Sequence, residues 1–167
     1  MMKKVVIPVL LLIGVSLVLL WYYYGSPDGS DVVKEKSKIY ALAFDRAMEQ
    51  DIGLNSDIKY ICIDTKTFKD FKEEDKKQLF DYIEDKYKVT MLDFSFNELK
   101  TEGYIKDGCF QEGIIFGVGK YEAYTPRKVA FECIKWRSTD GANGFRFEAK
   151  YQFKKWRLKK CNLIWVS

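Results

Sequence analysis

Residues 114–166, IIFGVGKYEAYTPRKVAFECIKWRSTDGANGFRFEAKYQFKKWRLKKCNLIWV, decide the fold. Apolar and polar side chains alternate through most of this stretch, the period of a strand with one buried face. Four strands are predicted, over 114–124, 128–137, 145–153 and 156–166, joined by turns at Pro126, at 140–144 and at Lys154 and Lys155. In the third of them Phe145, Phe147, Ala149, Tyr151 and Phe153 alternate with Arg146, Glu148, Lys150 and Gln152. The aromatic set is therefore expected on one face and the charged set on the other, and consecutive strands with connections this short form an antiparallel meander.

Upstream the period changes to that of helices. Ile39, Tyr40, Ala43, Phe44, Ala47 and Met48 recur at three-and-four spacing and predict a helix over 32–50. A short β-rich run, 58–63, ends at Asp64, and a second helix over about 70–88 turns Leu79, Phe80, Tyr82, Ile83 and Tyr87 to one side. A short strand, 89–92, follows. Ser95 and Glu98 then form a capping box, with Phe94 packing on Leu99 as a staple, so a short third helix starts there. Helix, strand, helix, strand, helix and meander define an α+β class with helices packed on one face of a curved, mainly antiparallel sheet, leaving a cone between the layers.

The first 24 residues read differently. Residues 5–24 carry no charge, and at about 1.5 Å per residue they match the ~30 Å hydrocarbon core of a bilayer, with Trp21, Tyr22, Tyr23 and Tyr24 at headgroup level. Lys3 and Lys4 precede the run and Asp28 and Asp31 follow it, which orients the N-terminus to the cytoplasm and the rest outside. The bulky aromatic cuff is a poor site for signal peptidase, and the first cysteine, Cys62, lies too far on to be a lipoprotein anchor. The expected organisation is a single-pass anchor over 1–24, a linker over 25–31 (GSPDGS and its flank) and an extracytoplasmic domain over 32–167.

Charge is unevenly spread. Residues 28–100 hold seventeen acids against thirteen bases, whereas 120–160 hold twelve bases against four acids. A basic face tethered beside an anionic membrane is suited to resting on it, although simple strand alternation also accounts for the pattern. Nucleic acid is not expected as a partner outside the cytoplasm. The chain has no histidine, and Cys62, Cys109, Cys133 and Cys161 show no zinc or redox spacing, so no metal or cofactor is expected. Their spacing leaves the three ways of pairing four cysteines open; Cys62, Cys133 and Cys161, in apolar strands, read as small buried hydrophobes.

The order of elements resembles that of the nuclear transport factor two-like, or cystatin-like, superfamily of small α+β cones. Several segments are also similar to uncharacterised membrane-anchored extracytoplasmic proteins of Gram-positive bacteria. They are AFDRAMEQD (43–51), LNSDIKYICIDT (54–65), EEDKKQLFDYIEDKYKV (73–89), FNELKTEGYI (96–105), KWRSTDGANGF (135–145), WRLKK (156–160) and IWVS (164–167). The resemblance implies an anchored domain with a cone-shaped cavity. It departs from the enzymes of that superfamily, which commonly place a His/Asp or Tyr/Asp pair in the cone, because this chain has no histidine.

The candidate site is the stretch 135–144. Trp136, Arg137, Asp140 and Asn143 gather unlike side chains beside a glycine-bearing turn, with Arg137 suited to an anionic group and Trp136 to apolar contact. As a plain hairpin, Gly141, Asn143 and Gly144 would instead be there to adopt positive φ. Asp64, Asp93 and Asp140 are the acids that a shared cleft would need for acid–base work. The expected function is a membrane-anchored binding or protein-interaction module without catalytic residues, taking a protein partner in a membrane assembly or a small anionic ligand. The alternative is a small enzyme using carboxylates in a cone-shaped pocket.

Overall fold

The computed structural model describes residues 12–20 and 33–167. Residues 12–20 are helical, with Leu12, Val15, Leu17, Val18 and Leu19 exposed. Among the described residues no helix is long and apolar enough to cross a membrane. The rest of the expected 5–24 span, and the 25–31 linker, lie outside the described residues.

The domain runs α1 (Lys36–Gln50), β1 (Tyr60–Ile63), a 3-10 turn (Thr65–Thr67), α2 (Glu73–Tyr87), β2 (Thr90–Leu92), α3 (Phe96–Thr101), β3 (Gly113–Thr125), β4 (Lys128–Ser138), β5 (Gly141–Gln152) and β6 (Lys155–Val166). It is an α+β fold on one six-stranded mixed sheet, ordered β2-β1-β3-β4-β5-β6 and open at both edges. β3 to β6 form the expected antiparallel meander. β1 pairs in parallel with both β2 and β3.

That parallel centre corrects the expectation that all helices share one face. The connection through α2 steps from β1 to β2 in one direction along the sheet, and the connection through α3 steps back across β1 to β3. Parallel crossovers are right-handed, so steps in opposite directions must pass over opposite faces. Side chains of β1 divide accordingly. Ile61 and Ile63 enter the main core with Phe44, Leu79 and Ile83, while Cys62 packs on the other face with Leu99 and Phe110.

Rings fill the main core. Phe116 stacks on Phe44 at 4.6 Å, Phe44 meets Phe68 at 6.2 Å, and Phe68 stacks on Tyr40 at 4.1 Å. Tyr40 then contacts Phe131 at 5.5 Å, and Phe131 contacts Phe147 at 4.9 Å. Six rings in series occupy the space between α1 and the sheet, where a cone would hold its cavity. Phe145, Phe147 and Ala149 are buried as the alternation predicts. Phe153 is not: it is 47 % exposed, because the β5–β6 turn takes Phe153 and Lys154 as its two central residues, at φ 53° and 59°.

The capping box of α3 forms as read. Ser95 Oγ accepts from Glu98 N at 3.3 Å, and Glu98 Oε2 accepts from Ser95 N at 2.7 Å. Ser95→Ala is expected to cost about 1 kcal/mol in urea unfolding, and a loss below about 0.3 kcal/mol would mean the cap is frayed in solution. The Ser95 N–H and then Lys66 hold the Glu98 carboxyl down to about 2, below its ordinary 4.5. This contribution is present above the ordinary value and is lost as pH falls toward the lowered one. Glu98→Gln should therefore flatten the acid side of a stability–pH profile.

Candidate functional site

Trp136, Arg137, Asp140 and Asn143 do not meet on one surface. Lys135 stands opposite Asn143 and Trp136 opposite Ala142 in the β4–β5 register, so Trp136 points to the other face from Asn143. Trp136 packs edge-on against Phe96, ring centres 5.1 Å apart, beside the α3 cluster. The Arg137 guanidinium donates to the carbonyls of Leu54 (2.9 Å), Ser56 (2.7 Å) and Gln111 (2.6 Å), tying two loops to the end of β4. Asp140 is exposed in the turn. Gly141, Asn143 and Gly144 belong to β5, and none is among the described residues with positive φ. Gly144 answers a different need: a Cβ there would fall 2.1 Å from the Trp165 indole nitrogen, which lies over it and donates to Glu132 at 2.6 Å.

Asn143 belongs to a polar network on the helix side. Its Nδ2 donates to Asp51 Oδ2 at 2.8 Å, and the same carboxylate oxygen is 3.1 Å from Lys135 Nζ. The Lys135 side chain is wholly inaccessible to solvent and also donates to Asn55 Oδ1 (2.5 Å) and to the Asp51 carbonyl. Asn55 in turn donates to the last turn of α1 at the Met48 carbonyl, 2.9 Å. Burial lowers the Lys135 pKa, against the opposing pull of Asp51. One signal in the sequence marks this residue: Phe131, Cys133 and Lys135 are successive inward positions of one strand, and a cation at an inward position needs a partner.

This network forms the inner wall of a groove of about 660 Å³, lined by Gln50, Asp51, Asn143, Phe145, Cys161, Asn162, Leu163 and Val166. Gln50 closes one side by donating to the Cys161 carbonyl at 2.6 Å. The outer wall is the last part of β6, where Leu163 is 52 % and Val166 66 % exposed. β6 is an edge strand whose first half carries Lys155, Arg157, Lys159 and Lys160, the charges that normally keep an edge from pairing. From Cys161 to Val166 it carries none. A register shift opposite Gly144 and Phe145 leaves Ile164 as an extra, bulged residue, which breaks the regular edge while turning Leu163 and Val166 toward the groove. The arrangement suits side-chain recognition of an apolar segment with a few hydrogen bonds, rather than continuation of the sheet.

Asp64 and Asp93 lie at one end of the parallel strands and Asp140 at the other, so the three acids do not share one cleft. Asp93, at the end of β2, accepts from Thr65 N (3.0 Å) and Thr65 Oγ1 and pairs with Lys76 at 3.1 Å. Partial burial pushes its pKa up, but those donors outweigh it and the net shift is downward. Asp64 caps the 3-10 turn at Lys66 N, 3.2 Å. Asp140 lies beyond the opposite end of β1, since Tyr60 pairs with Gly113 and Ile115 with Trp136. Among the described residues no group of three or more Cys, Asp or Glu is placed to hold a metal. All four thiols are free; Cys62, Cys133 and Cys161 are buried, and burial raises the Cys62 thiol to about 12 and the Cys161 thiol to about 11.

No family model matches the chain, and neither a curated protein nor a solved structure matches it.

Proposed function

We propose that this chain is a binding module held at the outer face of the cytoplasmic membrane by residues 5–24, and that it engages an apolar segment of a partner protein through the groove between α1 and the end of β6. The observation that carries the proposal is the pairing of a ring-filled interior with an uncharged, exposed strand end. Recognition is thereby moved from the inside of the domain to its edge. From the family resemblance the proposal keeps the anchored, extracytoplasmic placement and not the cone-shaped cavity, since six rings occupy that space. A protein segment is favoured over a small anion because the groove carries the Asp51 carboxylate, while the Arg137 guanidinium is held by three loop carbonyls and does not line the groove.

The test is photo-crosslinking in native membranes from Asn162, with and without Leu163→Asp and Val166→Asp. Burying two such side chains is worth about 1.5–3 kcal/mol each, so the double variant should reduce the crosslinked partner at least about tenfold at unchanged melting temperature. Equal crosslinking by both forms would overturn the groove as the contact surface.

A further inference from the structure

The described domain begins at Val33, which is buried, and its next carbonyl, that of Lys34, accepts from the Trp156 indole at 2.8 Å. The chain therefore enters the domain beside the β5–β6 turn. The β3–β4 turn lies at the same end, because Tyr151 N donates to the Arg127 carbonyl at 2.9 Å. These two turns and the start of β6 present Arg127, Lys154, Lys155 and Arg157, all exposed, and among the described residues none of the four is in an ion pair. Several acids near this end are engaged: Glu148, on the outer face of the sheet, pairs with Lys128 at 3.1 Å, and on the helix side Glu35 pairs with Lys38, Glu73 pairs with Lys76 at 2.8 Å, and Asp75 accepts from Lys72 N at 3.1 Å. Asp70 and Glu74 are exposed beside them. The surface around the two turns is thus a cationic patch whose four charges have no ion-pair partner among the described residues.

We propose that this pole, the β3–β4 and β5–β6 turns with the start of β6, rests on anionic lipid headgroups of the bilayer that carries the N-terminal segment. The inference rests on the anchored reading given above and adds an orientation to it. Two observations select the bilayer as the occupant. Nine residue steps separate Tyr24 from Val33, so even fully extended chain keeps the domain entry within about 30 Å of the aromatic cuff. The end that the tether holds nearest the membrane is also the end bearing Arg127, Lys154, Lys155 and Arg157, and a basic cluster near an anionic leaflet is attracted by each Lys or Arg it presents. Docking this way points the opposite end of the domain, with the Leu163 and Val166 groove, away from the membrane and toward a partner.

The experiment uses the full chain in lipid nanodiscs, either phosphatidylcholine alone or with about a third phosphatidylglycerol, and follows lysine acylation residue by residue. Lys154 and Lys155 should react at least about fivefold more slowly on the anionic discs, and return to the neutral-disc rate at about 0.5 M salt, where screening shortens to a few ångströms. Lys106, in the loop after α3 at the other end, should react equally on both. In the Arg127→Glu, Arg157→Glu variant the protection of Lys154 and Lys155 should be lost. Equal rates on the two kinds of disc, or protection that survives high salt, would overturn the docking while leaving the anchor intact. A chain that does not co-purify with either disc would instead overturn the anchored reading, and the docking with it.

Discussion

Replacing Phe147 by alanine is expected to cost about 3–5 kcal/mol of unfolding free energy. Phe147 is fully buried, stands directly opposite Phe131 across β4 and β5 and opposite Cys161 across β5 and β6, and is the last ring of the series that begins at Phe116. Its neighbours are held on three consecutive paired strands, which cannot move inward to refill the space without breaking ladder hydrogen bonds. The cavity term therefore stays nearly whole, and the cost should fall in the upper part of the range. Urea unfolding of the full chain in detergent reads it directly. A loss below about 1 kcal/mol would mean that the face carrying Phe145, Phe147 and Ala149 is not the packed one.

The parts of this fold that the sequence makes legible are those where one periodicity runs unbroken for several turns or pleats. The meander was readable because inward Val129, Phe131 and Cys133, and inward Phe145, Phe147 and Ala149, repeat at two without interruption. The α3 start was readable because a capping box is local chemistry, complete within four residues. What escaped was long-range. β1 and β2 are too short to declare parallel pairing, so the crossing that puts α3 on the second face left no local mark. Gly141, Asn143 and Gly144 look like turn formers and predict a wider β4–β5 turn than the one between Ser138 and Gly141, whereas Gly144 is set by the Trp165 indole twenty-one residues on. Arg137 drew attention as an unlike residue in a patterned strand. Its oddity reflects three loop carbonyls that needed donors, and loop carbonyls are invisible in sequence. Lys135 was the more informative neighbour, since it breaks the inward pattern itself.

Removing the partner of that lysine should be the other costly change. Asp51→Ala leaves Lys135, with no solvent contact of its own, holding a charge against a single side-chain oxygen and one carbonyl. Breaking a buried pair in this way costs about 3–5 kcal/mol, and the lower end applies here because Asp51 keeps 17 % exposure and water can reach its side of the pair. Lys135→Met removes the charge and keeps much of the length, so it should cost less than half as much, and the double variant should resemble Lys135→Met alone. The pH dependence carries a definite sign. Burial already holds the Lys135 pKa below its ordinary 10.5, and without Asp51 it falls further. Between the lowered value and 10.5 the unfolded chain binds the proton and the folded chain does not, so stability rises with pH across that window. The deficit of Asp51→Ala relative to the unsubstituted chain should therefore shrink as pH is raised toward 10.5, and the deficit of Lys135→Met should not. A deficit in Asp51→Ala that is constant with pH would show that Lys135 finds water when its partner is gone, and that the inner wall of the groove is open rather than closed by this network.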